Sequence, residues 1–303
     1  MLYDTSLEFI KTTAEEYGAS RVLLFGSCLT MPEGEAGDID LAIDVPMGDI
    51  ERLDAMDGLH ATRYNTNSLN FMTLNTAIAP FDNPLVREAI ARAVDRESMI
   101  IMVAEGFGFP ARGFLNELTF GFSPDVAPFA RDLDRARELL AEAGFPDGFS
   151  ATISTIGGVF ENQAQVIQHN LAEIGITVNI ELLDASVFIG NLFSLNYEIG
   201  VLAMALPGGD ANAWEAVFAT DGGMQMTGHS DPEIDAWFVE GRATMDSAAR
   251  IEIYRNIAQR VNDTAAFIPL YFNSSAYVHN SSIEMGFIGA TGNFRVDTIR
   301  WVD

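Results

Sequence analysis

Two residue types are nearly missing from this chain of 303 residues. Cys28 is its only cysteine, which excludes an internal disulfide and any cysteine-rich metal site. Lys11 is its only lysine, so arginine supplies the rest of the 17 basic residues, against 43 acidic residues and a formal net charge of −26. Because nucleic acids and anionic membranes are bound through clustered positive charge, we expect neither as a partner. The balance predicts a solvated acidic surface.

Long apolar runs are also missing, although 48% of the residues are hydrophobic. No run approaches the roughly 18 apolar residues of a transmembrane helix. Residues 1–18 are acidic and lack the basic flank and apolar segment of a secretory leader, so we expect no signal peptide on this chain. The histidines are far apart in sequence and share no ligand spacing, which predicts no metal site. They are His60, His169, His229 and His279.

The clearest pattern lies between residues 69 and 101. Leu69, Phe71 and Leu74 indicate a strand that leaves a core. After a turn, Asn83 is suited to be a helix N-cap and Pro84 the first helical residue. The three- and four-residue spacing that follows predicts one helix with a continuous buried face. The residues of that face are Val86, Ala89, Ile90, Ala93, Val94 and Ile101.

This stretch, LNT…APFDNPLVREAIARAVDRESMI, resembles the extracellular solute-binding proteins of ABC transporters, in the family-5 group that captures oligopeptides, dipeptides or nickel. The resemblance extends over residues 50–303, and residues 37–53 (GDIDLAIDVP…DIERL) also resemble a segment of this family. It implies a small peptide-like solute as ligand, an ABC permease as partner, and a periplasmic or cell-surface location; without a leader, the chain as given would stay cytoplasmic. Arg87, Asp95 and Arg96 match family positions that are structural.

A second resemblance covers residues 1–49. The strand RVLLF ends in Gly26-Ser27, ten residues follow, and then come Asp38 and Asp40. This pattern resembles the minimal nucleotidyltransferases, and two carboxylates two apart on a strand share one face, as a divalent ion requires. The resemblance implies that Gly26 and Ser27 hold a nucleoside triphosphate, that Asp38 and Asp40 bind Mg²⁺, and that Ser27, Asp38 and Asp40 are catalytic.

Other features weigh against that enzyme. The family supplies a third carboxylate from a later strand, but the next strand-like stretch, residues 61–75, contains no acid. The basic residue expected near the Gly-Ser turn is also missing. An isolated Asp-x-Asp strand is typical of a solvated face as well. Three hypotheses therefore stay open, with solute capture favoured over nucleotidyl transfer and over an inert fusion of the two segments.

Residues 132–182 predict a helix followed by a β-α-β unit. The helix is amphipathic and ends with Gly144 as its C′ residue. Strand 149–156, a helix opened by Gly157 and Gly158, and strand 176–182 then require a right-handed crossover between parallel strands. Farther along, Ser247 is the predicted N-cap of another helix.

Loop 206–214 follows a predicted strand, at the edge where ligands bind in α/β sheets. The solute-binding family carries an acid at the equivalent of Asp210, and in its peptide binders this acid can meet the amino group of the ligand. Asn212 and Ala213 replace the second acid and the proline of the family motif, which leaves the ligand class open. We predict Asp210, Asn212 and Trp214 as ligand-binding residues. Asp210 as a turn former and Trp214 as a core residue stay as alternatives.

The sequence as a whole predicts an α/β fold. It comprises the C-terminal lobe of a two-lobed periplasmic-binding-protein-like fold, remnants of the other lobe, and a short nucleotidyltransferase-like start. The predicted parts are residues 1–49 as that start, 50–303 as the solute-binding body, about 75–265 as the substrate lobe, 66–75 and 266–272 as hinge segments, and 273–303 as the return to the first lobe. The join is predicted between Asp44 and Gly58. Because one wall of the cleft is missing from this arrangement, we expect weak ligand binding.

Overall fold

The computed structural model describes residues 21–26, 38–43, 45, 47–207, 209–286, 288–292 and 298–302. At 21–26, 38–43 and 301 the description covers the backbone alone. The chain divides into two compact units. The large unit is residues 67–273, and the small unit combines residues 1–66 with 274–303. The other residues, Ser27 among them, lie outside the described part of the chain.

Strands and helices are numbered here in chain order. The strands are β1 (Arg21–Gly26), β2 (Asp38–Ile43), β3 (Leu59–Leu74), β4 (Gly108–Pro110), β5 (Ser150–Thr155), β6 (Thr177–Leu182), β7 (Ile199–Met204), β8 (Phe267–Asn280), β9 (Ile283–Glu284) and β10 (Arg300–Trp301). The α-helices are α1 (Ile50–Asp54), α2 (Pro84–Ala93), α3 (Arg96–Val103), α4 (Leu133–Glu142), α5 (Val159–Ala172), α6 (Ala185–Phe193), α7 (Glu215–Phe218), α8 (Pro232–Ala243) and α9 (Ser247–Thr264). None of the helices described is long and apolar enough to cross a membrane.

The sheet of the large unit is mixed. β5 pairs in parallel with both β6 and β7, and α5 connects β5 to β6, so the predicted β-α-β unit is confirmed. β3 runs antiparallel to β7, with Leu69 opposite Met204 and Leu74 opposite Ile199. β4 pairs antiparallel with β8. The carboxyl ends of β5, β6 and β7 therefore lie at one edge, which is also where the large unit's part of β3 begins.

Helices cover both faces of this sheet, as its alternating side chains require. In β3, Phe71 faces one core and its neighbour Met72 faces the other, and both are fully buried. The first core receives side chains from α2, α4 and α5, and the second from α6, α8 and α9. Burial on both faces fixes the register of β3, because a shift by one residue would exchange the two sets of side chains.

The small unit is built from antiparallel strands. β1 pairs with β2, and β2 pairs with the end of β8, where Leu41 lies opposite His279. β9 and β10 form a separate pair. A small cluster of buried apolar residues lies in this unit. Its members are Val45, Leu53, Ala61, Ala276 and Val278.

The helix predicted from Pro84 begins as expected but ends early. The side chain of Asn83 accepts a hydrogen bond from the Leu85 amide at 3.0 Å, which confirms the N-cap. The prediction of one helix reaching Ile101 is wrong, because Asp95 starts a second helix. The Asp95 carboxylate accepts from the amide and the hydroxyl of Ser98, at 3.0 and 2.9 Å. The restart turns Ile101 outward, to 69% exposure, instead of burying it.

Two further helix ends test the same rules. Gly144 follows α4 with φ +93°, a conformation that glycine adopts readily, so its predicted position after the helix is confirmed. The N-cap of α9 is Asp246 and not Ser247: the Asp246 carboxylate accepts from the Ala249 amide at 2.8 Å. Both residue types are good caps, and the pattern misplaced this boundary by one residue.

His229 lies in the loop between α7 and α8, and its Nε2 is buried with no hydrogen-bond partner among the residues described. Burial lowers the pKa of His229, and the charge of Arg87 lowers it further. Above pH ~6.5 the imidazole is neutral in the folded and in the unfolded chain. Below that pH the unfolded chain takes up the proton first, so the free energy of unfolding should fall as the pH drops toward 5.

Urea unfolding at pH 7.5, 6.5 and 5.5 measures this effect. His229→Gln should make the loss of stability between pH 7.5 and 5.5 smaller, because the variant has no imidazole to protonate there. His169→Gln is the control, since His169 is exposed. An acid-induced loss that is the same in the wild type and in His229→Gln would contradict the assignment.

Candidate functional site

The carboxyl edge of β5, β6 and β7 in the large unit carries the candidate site. Loops at this edge of an α/β sheet are the usual place for a ligand, since the strands end together and the following helices begin there. α5 starts directly after Gly157 and Gly158, and the loop after β7 leads to Asp210. The sequence predicted this placement for Asp210.

Asp210 is held in place by backbone pairing. The Phe120 amide donates to the Gly209 carbonyl at 2.7 Å, and the Ala211 amide donates to the Phe120 carbonyl at 2.9 Å. The carboxylate of Asp210 also accepts from the Asn212 amide at 2.9 Å, which caps the 3₁₀ turn Ala211–Trp214. These contacts fix the direction of the carboxylate.

Arg250 of α9 pairs with this carboxylate. Its Nη2 lies 3.1 and 3.2 Å from the two Asp210 carboxylate oxygens and 2.9 Å from the Tyr254 hydroxyl. Its Nε donates to the Gly241 carbonyl at 2.9 Å, and its guanidinium lies 4.7 Å from the centre of the Phe120 ring. The residue is thus positioned by a carbonyl, a hydroxyl, an aromatic face and an opposite charge.

The Tyr254 hydroxyl extends this polar group. It donates to Asn212 Oδ1 at 3.3 Å, which connects two of the predicted residues through a residue of α9. Burial raises the pKa of Tyr254, so it is a neutral hydrogen-bonding group at physiological pH. The Tyr254 hydrogen bond and the Asp210 charge both raise the pKa of Arg250, which stays a cation. The exposed fractions of the Asp210 and Arg250 side chains, 38% and 23%, leave both reachable from solvent.

Trp214 has different surroundings. Only 4% of it is exposed, and its ring stacks on Phe218 with centres 5.5 Å apart. Phe114 and Phe267 contact the same ring, at 5.3 and 6.1 Å between centres. The structure thus places Trp214 in the apolar core beneath the loop, while Asp210 and Asn212 lie in the polar group above it. The ligand-binding roles of the three residues stay predictions.

Two contributors to this edge were missing from the sequence-based site. Arg250 is 40 residues from Asp210 in the chain, so no local pattern pairs them. Asn67, at the start of the large unit, donates to the Leu206 carbonyl at 3.1 Å. Its Oδ1 is buried with no hydrogen-bond partner among the described residues. An isolated asparagine gives no spacing signal, and only the antiparallel pairing of β3 with β7 brings it to this edge.

The structure describes only some of the residues named in the alternative hypothesis of a nucleotidyltransferase. Ser27 lies outside the described residues, and only the backbones of Gly26, Asp38 and Asp40 are described. Gly26 lies opposite Asp38 in the β1–β2 pair. Within the described part of the chain, no group of three His, Cys, Asp or Glu side chains is arranged to hold a metal ion.

The large unit thus combines a mixed sheet, helices on both faces of that sheet, and a polar group at its carboxyl edge. The profile of the bacterial extracellular solute-binding proteins, family 5, matches residues 31–230, and the chain belongs to this family.

Known relatives agree with that assignment. The glutathione-binding protein GsiB of Salmonella choleraesuis is 24% identical over an alignment of 275 positions, and the match covers 87% of this chain and 54% of that protein. The ABC transporter substrate-binding protein CtaP of Listeria monocytogenes matches with a TM-score of 0.78 and 22% identity, over 87% of this chain and 56% of CtaP. A dipeptide-binding protein of Pseudoalteromonas sp. SM9913, solved with Met-Leu, matches with a TM-score of 0.74 and 22% identity, over 86% and 54% of the two chains. The chain thus has the periplasmic-binding-protein-like α/β fold and spans about half the length of these relatives.

The match also bears on the start of the chain. It begins at residue 31 and so includes Asp38 and Asp40, inside the segment predicted to be nucleotidyltransferase-like. The comparisons give no support to a nucleotidyltransferase. The alternation of acids and apolar residues at 38–43 is accounted for by a strand of the small unit, β2.

Proposed function

We propose that this chain is the solute-capturing component of an ABC-type transporter and that it binds a small peptide-like solute for delivery to a permease. The family membership and the polar group at the carboxyl edge of the large unit support this proposal. The family is extracellular, and capture at the cell surface or in the periplasm is part of the proposal. Its relatives include a glutathione-binding protein and a dipeptide-binding protein solved with Met-Leu, and both of these ligands are small and peptide-like.

The ligand class is inferred from the Asp210–Arg250 ion pair, because both side chains can be reached from solvent. A free peptide has an ammonium group at one end and a carboxylate at the other. Asp210 can accept from an ammonium group, and Arg250 can donate to a carboxylate, as charge-assisted hydrogen bonds. Because the pair already neutralises itself, a ligand with one charge must leave the other partner uncompensated, whereas a zwitterion can satisfy both. We therefore propose zwitterionic peptides as the ligands and Asp210, Arg250 and Asn212 as their polar contacts.

A thermal-shift titration with short peptides tests this function. At 10 mM peptide and a Kd of about 1 mM, the expected stabilisation is about 1.4 kcal/mol, or a few degrees in Tm. Asp210→Asn should abolish the shift, because asparagine keeps an oxygen for the Asn212 amide but carries no charge. The same peptides with an acetylated amino terminus should give no shift on the wild type.

Asp221→Asn is the matched control, since Asp221 is an exposed loop acid of the same unit. This variant should respond to peptide as the wild type does. Arg250→Gln should lose the response to free peptides, through loss of the carboxylate contact. A response that survives Asp210→Asn, or that is equal for free and acetylated peptides, would contradict the proposed site. The absence of any response across a broad peptide set would contradict the proposed function.

A further inference from the structure

The small unit contains a pair of histidines that are far apart in the chain. His60 lies near the start of β3, and His279 lies near the end of β8, which is the neighbouring strand. Their ring centres are 5.2 Å apart, in an edge contact. His279 is 4% exposed and stacks on Tyr277, while the His60 side chain is 56% exposed. One imidazole is thus anchored and the other is accessible.

Both rings use the same nitrogen for a contact within the protein. His60 Nδ1 lies 2.8 Å from Asp54 Oδ1, and His279 Nδ1 lies 2.8 Å from the Asn280 carbonyl. A carboxylate and a carbonyl can only accept, so each Nδ1 carries the hydrogen. In a neutral imidazole the lone pair is then on Nε2. Proteins orient metal-ligating histidines in this way: one ring nitrogen donates a hydrogen bond to a protein oxygen, and the other nitrogen binds the metal.

The surroundings leave room for an ion. A cleft of about 480 Å³ is lined by both histidines together with Ser281, Glu284 and Met285. Two imidazoles on one tetrahedral ion at ~2.0 Å from each nitrogen have ring centres about 5 Å apart, which matches the observed spacing.

We propose that His60 and His279 form an open two-histidine site for a divalent transition-metal ion of the class that prefers imidazole, such as Zn²⁺, Ni²⁺ or Cu²⁺. Among the residues described no third acidic, cysteine or histidine ligand is already in place, so water completes the coordination. Asp54 is the positioning residue, because it orients His60 and its carboxylate is itself fixed by the Ala61 amide at 2.8 Å. The site lies in the small unit and is independent of the peptide site.

Calorimetric titration of the metal-free chain with ZnCl₂ at pH 7.5 tests the site. We expect one ion per chain. His60→Asn should weaken zinc binding at least tenfold without unfolding the protein, because His60 is exposed. Asp54→Asn should weaken it about 10- to 100-fold, as loss of an orienting acceptor does elsewhere. His169→Asn, a substitution of an exposed histidine in the large unit, should leave zinc binding unchanged.

Electron paramagnetic resonance of the Cu²⁺-loaded chain reports directly on the nitrogen ligands of the ion. A purely structural role of His60 would leave this spectrum unchanged when His60 is replaced. The wild type should show hyperfine coupling to two imidazole nitrogens, and His60→Asn to one. Unchanged zinc affinity in His60→Asn would overturn the proposal, as would a copper spectrum without a second nitrogen in the wild type. Equal weakening in His169→Asn would mean binding by scattered single histidines and would overturn it too.

Discussion

Trp214→Ala should lower the free energy of unfolding by about 3–5 kcal/mol, the usual cost of removing a buried tryptophan. Trp214 is 4% exposed and contacts Phe114, Phe218 and Phe267, so its removal leaves a cavity lined by aromatic rings. Urea unfolding followed by circular dichroism measures the change. Trp237→Ala is the matched control, because Trp237 is half-buried on α8, and it should cost about 1–2 kcal/mol.

A second substitution at Trp214 distinguishes a role in the core from a role in lining the ligand site. Trp214→Phe keeps an aromatic ring in the cluster and should cost much less stability than alanine, while the peptide response is retained. If Trp214 lined the ligand, the phenylalanine variant would lose the peptide response at nearly unchanged stability. That result would contradict its placement in the core.

Arg87→Met should be comparably destabilising, by about 3–5 kcal/mol. Arg87 is 6% exposed and donates to three main-chain carbonyls, those of Phe81, Asp82 and Thr264, at 2.8–3.0 Å. Methionine fills the space of the side chain but leaves these acceptors without their donor. Burial of a polar group without a partner, and not the loss of apolar contact, is the expected cause.

Arg92→Met in the same helix is the control. Arg92 pairs with Glu88 at 2.8 Å across one helical turn and is partly exposed, so its replacement should cost less than about 1 kcal/mol. The comparison is made by urea unfolding at pH 7.5. Equal losses in the two variants would show that the three carbonyl contacts of Arg87 contribute little.

Sequence patterns of a few adjacent residues correctly predicted several helix ends and the β-α-β unit. Asn83 and Pro84 mark a helix start, Gly144 marks a helix end, and the alternating strands around α5 predict parallel pairing. Each depends on the conformational preferences of one or a few adjacent residues. The break before α3 was missed because the apolar spacing continues through it, while the Asp95 cap interrupts the backbone hydrogen bonds.

The candidate site was predictable only in outline. The strand-then-loop pattern placed Asp210 at the carboxyl edge of the sheet, but nothing local predicts that Arg250, 40 residues away, neutralises it. The contact between His60 and His279 was even less predictable from the sequence. The two residues are 219 positions apart, and only the pairing of the neighbouring strands β3 and β8 brings their rings together. Long-range pairing is a property of the packed fold, and single-sequence patterns do not contain it.

The ion pair with Arg250 changes which ligands the Asp210 carboxylate is expected to favour. An unpaired carboxylate would favour any cation, whereas a carboxylate shared with a guanidinium favours ligands that present both signs of charge. Peptide-like solutes meet that condition. Asn67 Oδ1, buried at the same edge, has no hydrogen-bond partner among the residues that the structure describes.

Hydrogen–deuterium exchange of the chain, with and without a saturating zwitterionic dipeptide, tests the central claim most directly. Capture at the carboxyl edge of the large unit predicts slower exchange in loop 205–214. It predicts no change around a separate cleft of that unit, about 520 Å³ in volume, which is lined by Asp95, Arg131 and Glu173. Protection of this cleft, or dipeptide binding without any protection at 205–214, would contradict the account.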